Sequence, residues 1–151
     1  SKFRTDTLFF SFLKYGNLKS FNENAHDRSL NSINQKSKVI LLTGIAKASL
    51  LLAELASYGP ELIHHQYPDH HQFSDKNIAK LVNEFNELIG DDNLIITTEK
   101  DAQRLRVAGI IEQLKDLAIY YLPVEAAFKD PEVTRFNNLI EGYASKSAGN
   151  N

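Results

Sequence analysis

The sequence predicts an α/β protein of three layers, in which a mainly parallel sheet of about four strands has helices on both faces. Two observations support this prediction. Short apolar runs alternate with longer segments whose apolar residues recur at helical spacing. The run at 39–42 is wholly apolar, as expected for a strand that is covered on both faces. Four strand–helix units in a row predict a parallel sheet with right-handed crossovers.

Local signals place the elements in order. Strands are expected at 39–42, 61–66, 94–97 and 117–122. Helices are expected at 46–58, at 74–89, from 98 onward with an interruption near Gly109, and from Asp130 onward. Ser74 is a suitable cap for the second helix. Thr98, followed three residues later by Asp101, has the spacing of a capping box.

The chain divides into four predicted parts. Residues 1–21 form a β-hairpin, with an aromatic-rich strand at 8–15, a turn at Gly16 and Asn17, and a return strand at 18–21. Residues 22–38 are polar and rich in Asn and Ser, which predicts a linker. The α/β body spans 39–145, and a frayed tail occupies 146–151.

Composition limits the function classes. The 151 residues fit one domain, and the net charge of −2 provides no broad basic surface for nucleic acid. Cysteine is absent, which excludes disulfides and thiolate metal sites from this sequence. No apolar run reaches the length of about 18 residues that a membrane span requires. The sequence contains no methionine, even at its start, so we expect it to be a piece of a larger protein.

Polar residues follow each predicted strand. Because the carboxyl ends of parallel strands meet at one edge of a sheet, and ligands bind there in open α/β folds, these residues are candidates for a shared site. Pro68 should end the second strand and leave an Asp–His–His turn before the next helix. The candidates are Thr43, Gly44, Asp69, His70, His71, Thr98, Glu99, Lys100 and Asp101.

Each candidate also has a structural explanation. Asp69 suits a turn or cap as well as an Asp–His pair that acts on substrate. The segment 43–49 is either a phosphate-binding loop or a plain tight turn, and it lacks the GxxxxGKS/T spacing. Lys100 and Arg104 lie one helical turn apart and could hold an anion, or Asp101 serves as a cap beside two solvated cations.

The remaining histidines offer little support for a metal site. His64 and His65 would point to opposite faces of a strand, one packed and the other exposed. A zinc site from His64, Asp69 and His70 lacks the HxxxH or HExxH spacing that would support it, so no metal site is predicted.

Four strings in this order resemble the carboxyl-terminal half of the tetraacyldisaccharide 4'-kinase family of lipid A biosynthesis. They are LTGIA at 42–46, PDHHQF at 68–73, TTEKDA at 97–102 and YYLPV at 120–124. The segment FFSFLKYGNL at 9–18 is similar to the connector between the two lobes of such kinases. The second and third strings together are fairly specific for this family, whereas either string alone is weak evidence for it.

The resemblance implies an ATP- and Mg²⁺-dependent transfer of the γ-phosphoryl group to the 4' hydroxyl of a lipid disaccharide 1-phosphate. It also implies that the full-length enzyme acts at the cytoplasmic face of the inner membrane of a Gram-negative bacterium. The family's phosphate loop, metal-binding carboxylates and acidic base belong to an amino-terminal P-loop lobe that this sequence lacks. The chain alone is therefore expected to be inactive and to hold neither ATP nor Mg²⁺.

The resemblance also assigns roles at the predicted turn. His70 matches a histidine that supports the acidic base of the other lobe, and Asp69 would orient His70 or shape the turn. His71 is the weaker candidate, because the family has His or Gln there. Thr43, Gly44 and the segment 98–101 would line the cleft for substrate and nucleotide.

Two other classes remain open on the residues. One is a non-catalytic α/β domain that binds a nucleotide or sugar phosphate at the same edge. The other is a response-regulator-like domain, which needs acidic residues after the first strand and an acceptor Asp after the third. The sequence has Thr43 and Gly44, then Thr97 and Thr98, at those places, which disfavours the second class.

Overall fold

The computed structural model describes residues 17–123. Its strands form one six-stranded sheet in the order β2-β1-β6-β5-β3-β4. The strands are β1 Asn17–Ser20, β2 Arg28–Ser29, β3 Ser37–Thr43, β4 Glu61–Gln66, β5 Asp92–Thr98 and β6 Ile119–Leu122. The α-helices are α1 Ser49–Ala56, α2 Asp75–Glu87, α3 Glu99–Arg104 and α4 Ala108–Leu114, and a 3-10 helix spans Leu30–Ser32.

The predicted parallel sheet is confirmed. β4, β3, β5 and β6 are parallel neighbours, while β1 is antiparallel to both β6 and β2. The sheet therefore has two strands more than the four predicted for the body. β1 corresponds to the predicted return strand at 18–21, and in the structure it pairs with β2. The other predicted hairpin strand, at 8–15, and the predicted helix from Asp130 lie outside the described residues.

Helices cover both faces, as the three-layer prediction requires. Alternate residues of β3 enter opposite cores: Ile40 and Leu42 on one face, Val39 and Leu41 on the other. The first face packs against α2, α3 and α4 through Ile78, Leu81, Ala102, Leu105, Ile110 and Leu114. The second packs against α1 and the segment before β3 through Leu51, Leu55, Leu30 and Ile33.

The interpretation of residues 22–38 as a linker is wrong. The segment contains β2 and the 3-10 helix, and Leu30 and Ile33 are buried in the core. Ser29 caps the 3-10 helix by accepting a hydrogen bond from the backbone N–H of Asn31. Two apolar side chains among many polar ones are a weak periodic signal, so their burial depends on tertiary packing. The wider division of the chain into parts stays a prediction.

Helix boundaries differ from the predicted ones by a few residues. α1 begins at Ser49, not at 46, and its first residue has no side-chain cap. Ser74 caps α2, and Thr98 caps α3 by accepting from the N–H of Asp101, as predicted. The expected interruption near Gly109 lies slightly earlier, between α3 and α4. Within residues 17–123, no helix combines the length and the apolarity that crossing a bilayer requires.

An ion pair connects the outer strands to the parallel sheet. Arg28 of β2 donates from Nη1 to Asp92 Oδ1 at 2.8 Å and from Nη2 to Oδ2 at 3.2 Å. The Ser37 hydroxyl donates to Asp92 Oδ2 at 2.5 Å. The hydrogen bonds from Arg28, and then that from Ser37, hold the pKa of Asp92 below its usual value.

We expect this ion pair to make stability depend on pH. The lowered pKa means that the stabilisation is fully present above the unfolded carboxyl value of about 3.9 and is lost as pH falls through the folded value. Asp92→Asn should therefore cost about 1 kcal/mol at pH 7 and less at pH 3. Urea denaturation of both proteins across that range measures the difference. Asp91→Asn, on an exposed neighbour, should change the unfolding free energy at pH 7 by less than about 0.5 kcal/mol.

Candidate functional site

The carboxyl ends of the parallel strands meet as predicted. Thr43 at the end of β3 pairs in register with Gln66 at the end of β4. On the other side of β3, Leu42 pairs with Thr97 of β5, and Thr98 pairs with Leu122 of β6. The loops that follow these strands therefore lie side by side along one sheet edge, which we call the carboxyl edge.

The Asp–His–His segment forms a tight turn at this edge. Tyr67 continues the strand pairing by donating its N–H to the Thr43 carbonyl at 2.8 Å. The N–H of His71 then donates to the Pro68 carbonyl at 3.1 Å, which closes a four-residue turn. His70 occupies the third position with φ of 63°, and a positive φ at that position is a feature of type II turns. An L-residue in this conformation costs about 1–2 kcal/mol, which surrounding contacts must offset.

Those contacts involve both the backbone and the ring of His70. Its N–H donates to the Gly44 carbonyl at 3.1 Å. Its Nδ1 lies 3.3 Å from Arg104 Nη2, and its Nε2 lies 3.4 Å from Asp69 Oδ2. The side chain remains 49% exposed. The imidazole is thus held between a cation and a carboxylate while it stays accessible to a partner.

Asp101 lies beneath this turn and joins the loops. It is fully buried, and Oδ2 accepts from the Gly44 N–H at 3.0 Å and from the Thr98 hydroxyl at 2.8 Å. Oδ1 accepts from Arg104 Nη1 at 2.8 Å, and the same Nη1 donates to the Gly44 carbonyl at 2.9 Å. We call Gly44, Thr98, Asp101 and Arg104 the Asp101 cluster.

The Asp101 cluster changes three expectations. Asp101 was predicted to line the cleft, yet both its oxygens are occupied by neighbours within the chain. Arg104 was considered as a solvated cation, yet its side chain is only 19% exposed and pairs with Asp101. The Gly44 N–H, which a phosphate-binding loop would use, donates to Asp101, so the structure favours the tight turn at this segment.

His71 is part of an aromatic group rather than a partner of His70. Its ring stacks on Tyr67 at a centroid distance of 4.5 Å and meets Phe73 edge-on at 5.4 Å. Its Nε2 donates to Asn77 Oδ1 at 2.7 Å, because that oxygen also accepts from the Ser74 N–H. These contacts connect the turn to the start of α2.

The two histidines of β4 are both hydrogen-bonded. His64 Nε2 lies 2.9 Å from the hydroxyl of buried Thr43, and burial lowers the pKa of His64, with a smaller effect from His65. His65 is buried and its Nε2 lies 3.0 Å from Glu84 Oε1. The expectation that one of the pair is exposed is wrong, because His64 is half-buried. No group of three potential metal ligands occurs among residues 17–123.

The remaining candidates occupy the first turn of α3. Thr98 and Glu99 are half-buried and Lys100 is exposed.

A cleft of about 490 Å³ opens beside the Asp101 cluster, between the start of α2 and the start of α4. Its lining combines apolar and charged side chains: Gln72, Phe73, Asp75, Arg104, Val107, Gly109 and Ile110.

Comparison with known families matches this chain to the model described as tetraacyldisaccharide-1-P 4'-kinase, over residues 6–141. The chain belongs to the tetraacyldisaccharide 4'-kinase family. The match includes every element described above and all the candidate residues at the carboxyl edge. The resemblance noted in the sequence is therefore confirmed.

Curated relatives support the assignment to this family. The chain is 34% identical over 151 residues to the tetraacyldisaccharide 4'-kinase of Bacteroides thetaiotaomicron, a match that covers 95% of this chain and 40% of the relative. It is 32% identical over 143 residues to the enzyme of the same name from Phocaeicola vulgatus, covering 95% and 39%. The chain thus spans about two fifths of the length of these kinases. No solved structure matches it significantly.

Sequence reasoning missed the role of Arg104 in this kinase-family chain. The only local signal was its position three residues after Asp101, where the two side chains share a helix face. Its contacts with Gly44 and His70 span 60 and 34 residues of sequence, so no local pattern could indicate them. Asn77 was also missed, although its contacts are local: it completes the capping box with Ser74 three residues away and accepts from His71 six residues away.

Two glycines of the kinase-family chain provide a matched test of the Asp101 cluster. A Cβ at Gly44 would lie 3.2 Å from Asp101 Oδ1 and 3.4 Å from the Pro68 carbonyl oxygen. We expect Gly44→Ala to destabilise by about 1–3 kcal/mol, because the buried carboxylate must shift to admit the methyl group. A Cβ at Gly109, within α4, would meet no atom outside the local helix within 4 Å. Gly109→Ala should therefore raise the unfolding free energy by about 0.5–1 kcal/mol. Chemical denaturation of both variants should give changes in unfolding free energy of opposite sign. Changes of the same sign and size would contradict the close packing assigned at Gly44.

Proposed function

We propose that this chain is the carboxyl-terminal lobe of an ATP-dependent kinase that phosphorylates the 4' hydroxyl of a lipid A disaccharide 1-phosphate precursor. The family match over residues 6–141 is the observation that carries the proposal. The relatives are longer than this chain, which agrees with a second lobe that supplies the rest of the active site.

Two observations support the placement of ATP and Mg²⁺ outside this lobe. No cluster of three acidic or imidazole side chains is present in residues 17–123, and the Gly44 N–H already has an acceptor in Asp101. The proposal therefore assigns ATP and Mg²⁺ to the amino-terminal P-loop lobe. It places the whole protein peripherally on the cytoplasmic face of the inner membrane in a Gram-negative bacterium.

The carboxyl edge supplies a histidine for the chemistry. Phosphoryl transfer requires an acceptor hydroxyl in line with the phosphate and a group that assists the loss of its proton. We assign His70, oriented by Asp69, to support the acidic base of the other lobe. His70 suits this role because its ring is half exposed and held by contacts on both nitrogens. In this proposal Thr43, Gly44, His71 and residues 98–101 shape the wall that faces the cleft between the two lobes, and Asp101 does so from below the surface.

Activity assays on two forms of the protein test the proposal. The full-length protein should transfer phosphate from ATP to a disaccharide 1-phosphate acceptor, and the 151-residue chain alone should show no turnover above background. Turnover by the isolated chain would contradict the two-lobe account. A full-length protein that binds nucleotide without transferring phosphate would instead favour the non-catalytic binding domain. Radiolabelled ATP with separation of the lipid product provides the measurement.

A further inference from the structure

Arg104 connects the rest of the Asp101 cluster to the Asp–His–His turn. Its Nη1 donates to the Gly44 carbonyl and to Asp101 Oδ1, which fixes the position of the guanidinium. Its Nη2 then lies 3.3 Å from His70 Nδ1. An arginine anchored in this way presents a donor in a fixed direction, because its nitrogens lie in one rigid plane.

This contact favours one position for the proton of a neutral His70. A guanidinium remains protonated and has donors only, so Nδ1 must act as the acceptor and carries no proton. A neutral imidazole has one N–H, which is then on Nε2. The second neighbour favours the same tautomer, because Nε2 faces the Asp69 carboxylate, which is an acceptor.

The Nε2–H remains available to another group. Its 3.4 Å separation from Asp69 Oδ2 is longer than the range of about 2.7–3.2 Å for a well-formed N–H···O bond. The ring is also half exposed. A second anionic acceptor that approaches the carboxyl edge could therefore receive a shorter hydrogen bond from the same N–H.

We propose that Arg104 is a positioning residue that holds His70 in its Nε2–H tautomer, so that His70 acts as a hydrogen-bond donor and not as a proton acceptor. This inference rests on the proposed function, in which the group that His70 meets is the acidic base of the opposing lobe. His70 orients that carboxylate through Nε2–H, and the acceptor hydroxyl loses its proton to the carboxylate. The imidazole neither gains nor loses a proton in the step.

Nuclear magnetic resonance of the 151-residue chain tests the tautomer without any activity. Long-range ¹H–¹⁵N spectra at neutral pH should show His70 with its proton on Nε2 alone. Exposed His26 provides an internal reference for an unconstrained ring in the same spectrum. In Arg104→Met, the nitrogen shifts of His70 should move toward those of His26. A proton on Nδ1 of His70 in the unaltered chain would overturn the inference.

Kinetics of the full-length protein test the donor role. Gln retains a side-chain N–H donor but cannot accept a proton as a base, so His70→Gln should be at least about tenfold more active than His70→Ala. If His70 were a proton acceptor, the two variants would be equally impaired. His70→Gln makes no change within the Asp101 cluster, so it remains informative even if Arg104 variants fold poorly.

A matched pair of arginines tests the positioning role. Arg104→Lys keeps the charge but loses the planar geometry, and it should lower kcat by about tenfold to a hundredfold with little change in KM for ATP. Arg106→Lys is the control, because Arg106 donates to the Phe21 carbonyl and has no contact with His70 among the described hydrogen bonds. Normal kcat for Arg104→Lys would overturn the inference and leave the kinase assignment intact. Absence of transfer by the unaltered full-length protein would reject the proposed function, while the tautomer would still be decided by the spectra.

Discussion

Replacing His70 with alanine in the full-length protein is expected to lower kcat by about 10²–10⁴, because the acidic base that it orients would lose its support during proton transfer. The reason is the loss of the imidazole held between Asp69 and Arg104 at the carboxyl edge. KM for ATP should change little, because we assign the triphosphate to the other lobe. Steady-state kinetics with a disaccharide 1-phosphate acceptor measures both constants.

His71→Ala and His26→Ala are the controls for that experiment. His71 packs between Tyr67 and Phe73 and donates to Asn77, so its loss should reduce the melting temperature more than kcat. His26 is exposed, and its replacement should affect neither quantity. A near-normal kcat for His70→Ala would reduce His70 to a structural turn residue. Equal losses of kcat for His70→Ala and His71→Ala would mean that the turn as a whole, and not one ring, positions the acceptor.

Replacing Asp101 with alanine is expected to cost about 2–4 kcal/mol of unfolding free energy, near the range measured when one partner of a buried ion pair is removed. The substitution leaves the Gly44 N–H and the Thr98 hydroxyl without their acceptor and separates Arg104 from its counter-charge. The cost falls toward the lower part of that range because Arg104 is 19% exposed and can regain some hydration.

Urea denaturation of the 151-residue chain measures the effect of Asp101→Ala. Asp101→Asn should be less damaging, since the amide oxygen still accepts a hydrogen bond while the charge is lost. Asp116→Ala, at an exposed carboxylate, should stay within about 0.5 kcal/mol of the unaltered chain. If Asp101→Ala were equally mild, the Asp101 cluster would not be what holds the three loops together.

Residues of the TTEKDA segment have two different roles, which measurements of stability and of kinetics can separate. Asp101 and Thr98 point into the protein and connect loops, whereas Lys100 is exposed on the same turn. A Lys100→Ala variant with normal stability and altered kinetics would place ligand contact on the outer side of α3. The sequence alone could not distinguish these roles, because both kinds of residue are polar and adjacent.

Local features of the fold were predictable from the sequence. The strand at 39–42, the cap at Ser74 and the cap at Thr98 depend on neighbouring residues only, and the structure confirms each of them. The place of the Asp–His–His turn was also predictable, because Pro68 ends an extended segment wherever it occurs in the fold. Alternating strands and helices were sufficient to bring the loops to one edge.

The sequence by itself determined the α/β class, the parallel arrangement and the family, because these depend on periodicity, capping and recognisable strings. Only the tertiary structure decided the burial of Leu30 and Ile33, the addition of β1 and β2 to the sheet, and the Asp101 cluster. Those features join residues far apart in the chain, such as Gly44 with Asp101 across 57 positions. Such contacts form because folding brings buried polar groups to one another, where each must find a partner, and no local propensity specifies which partner that is.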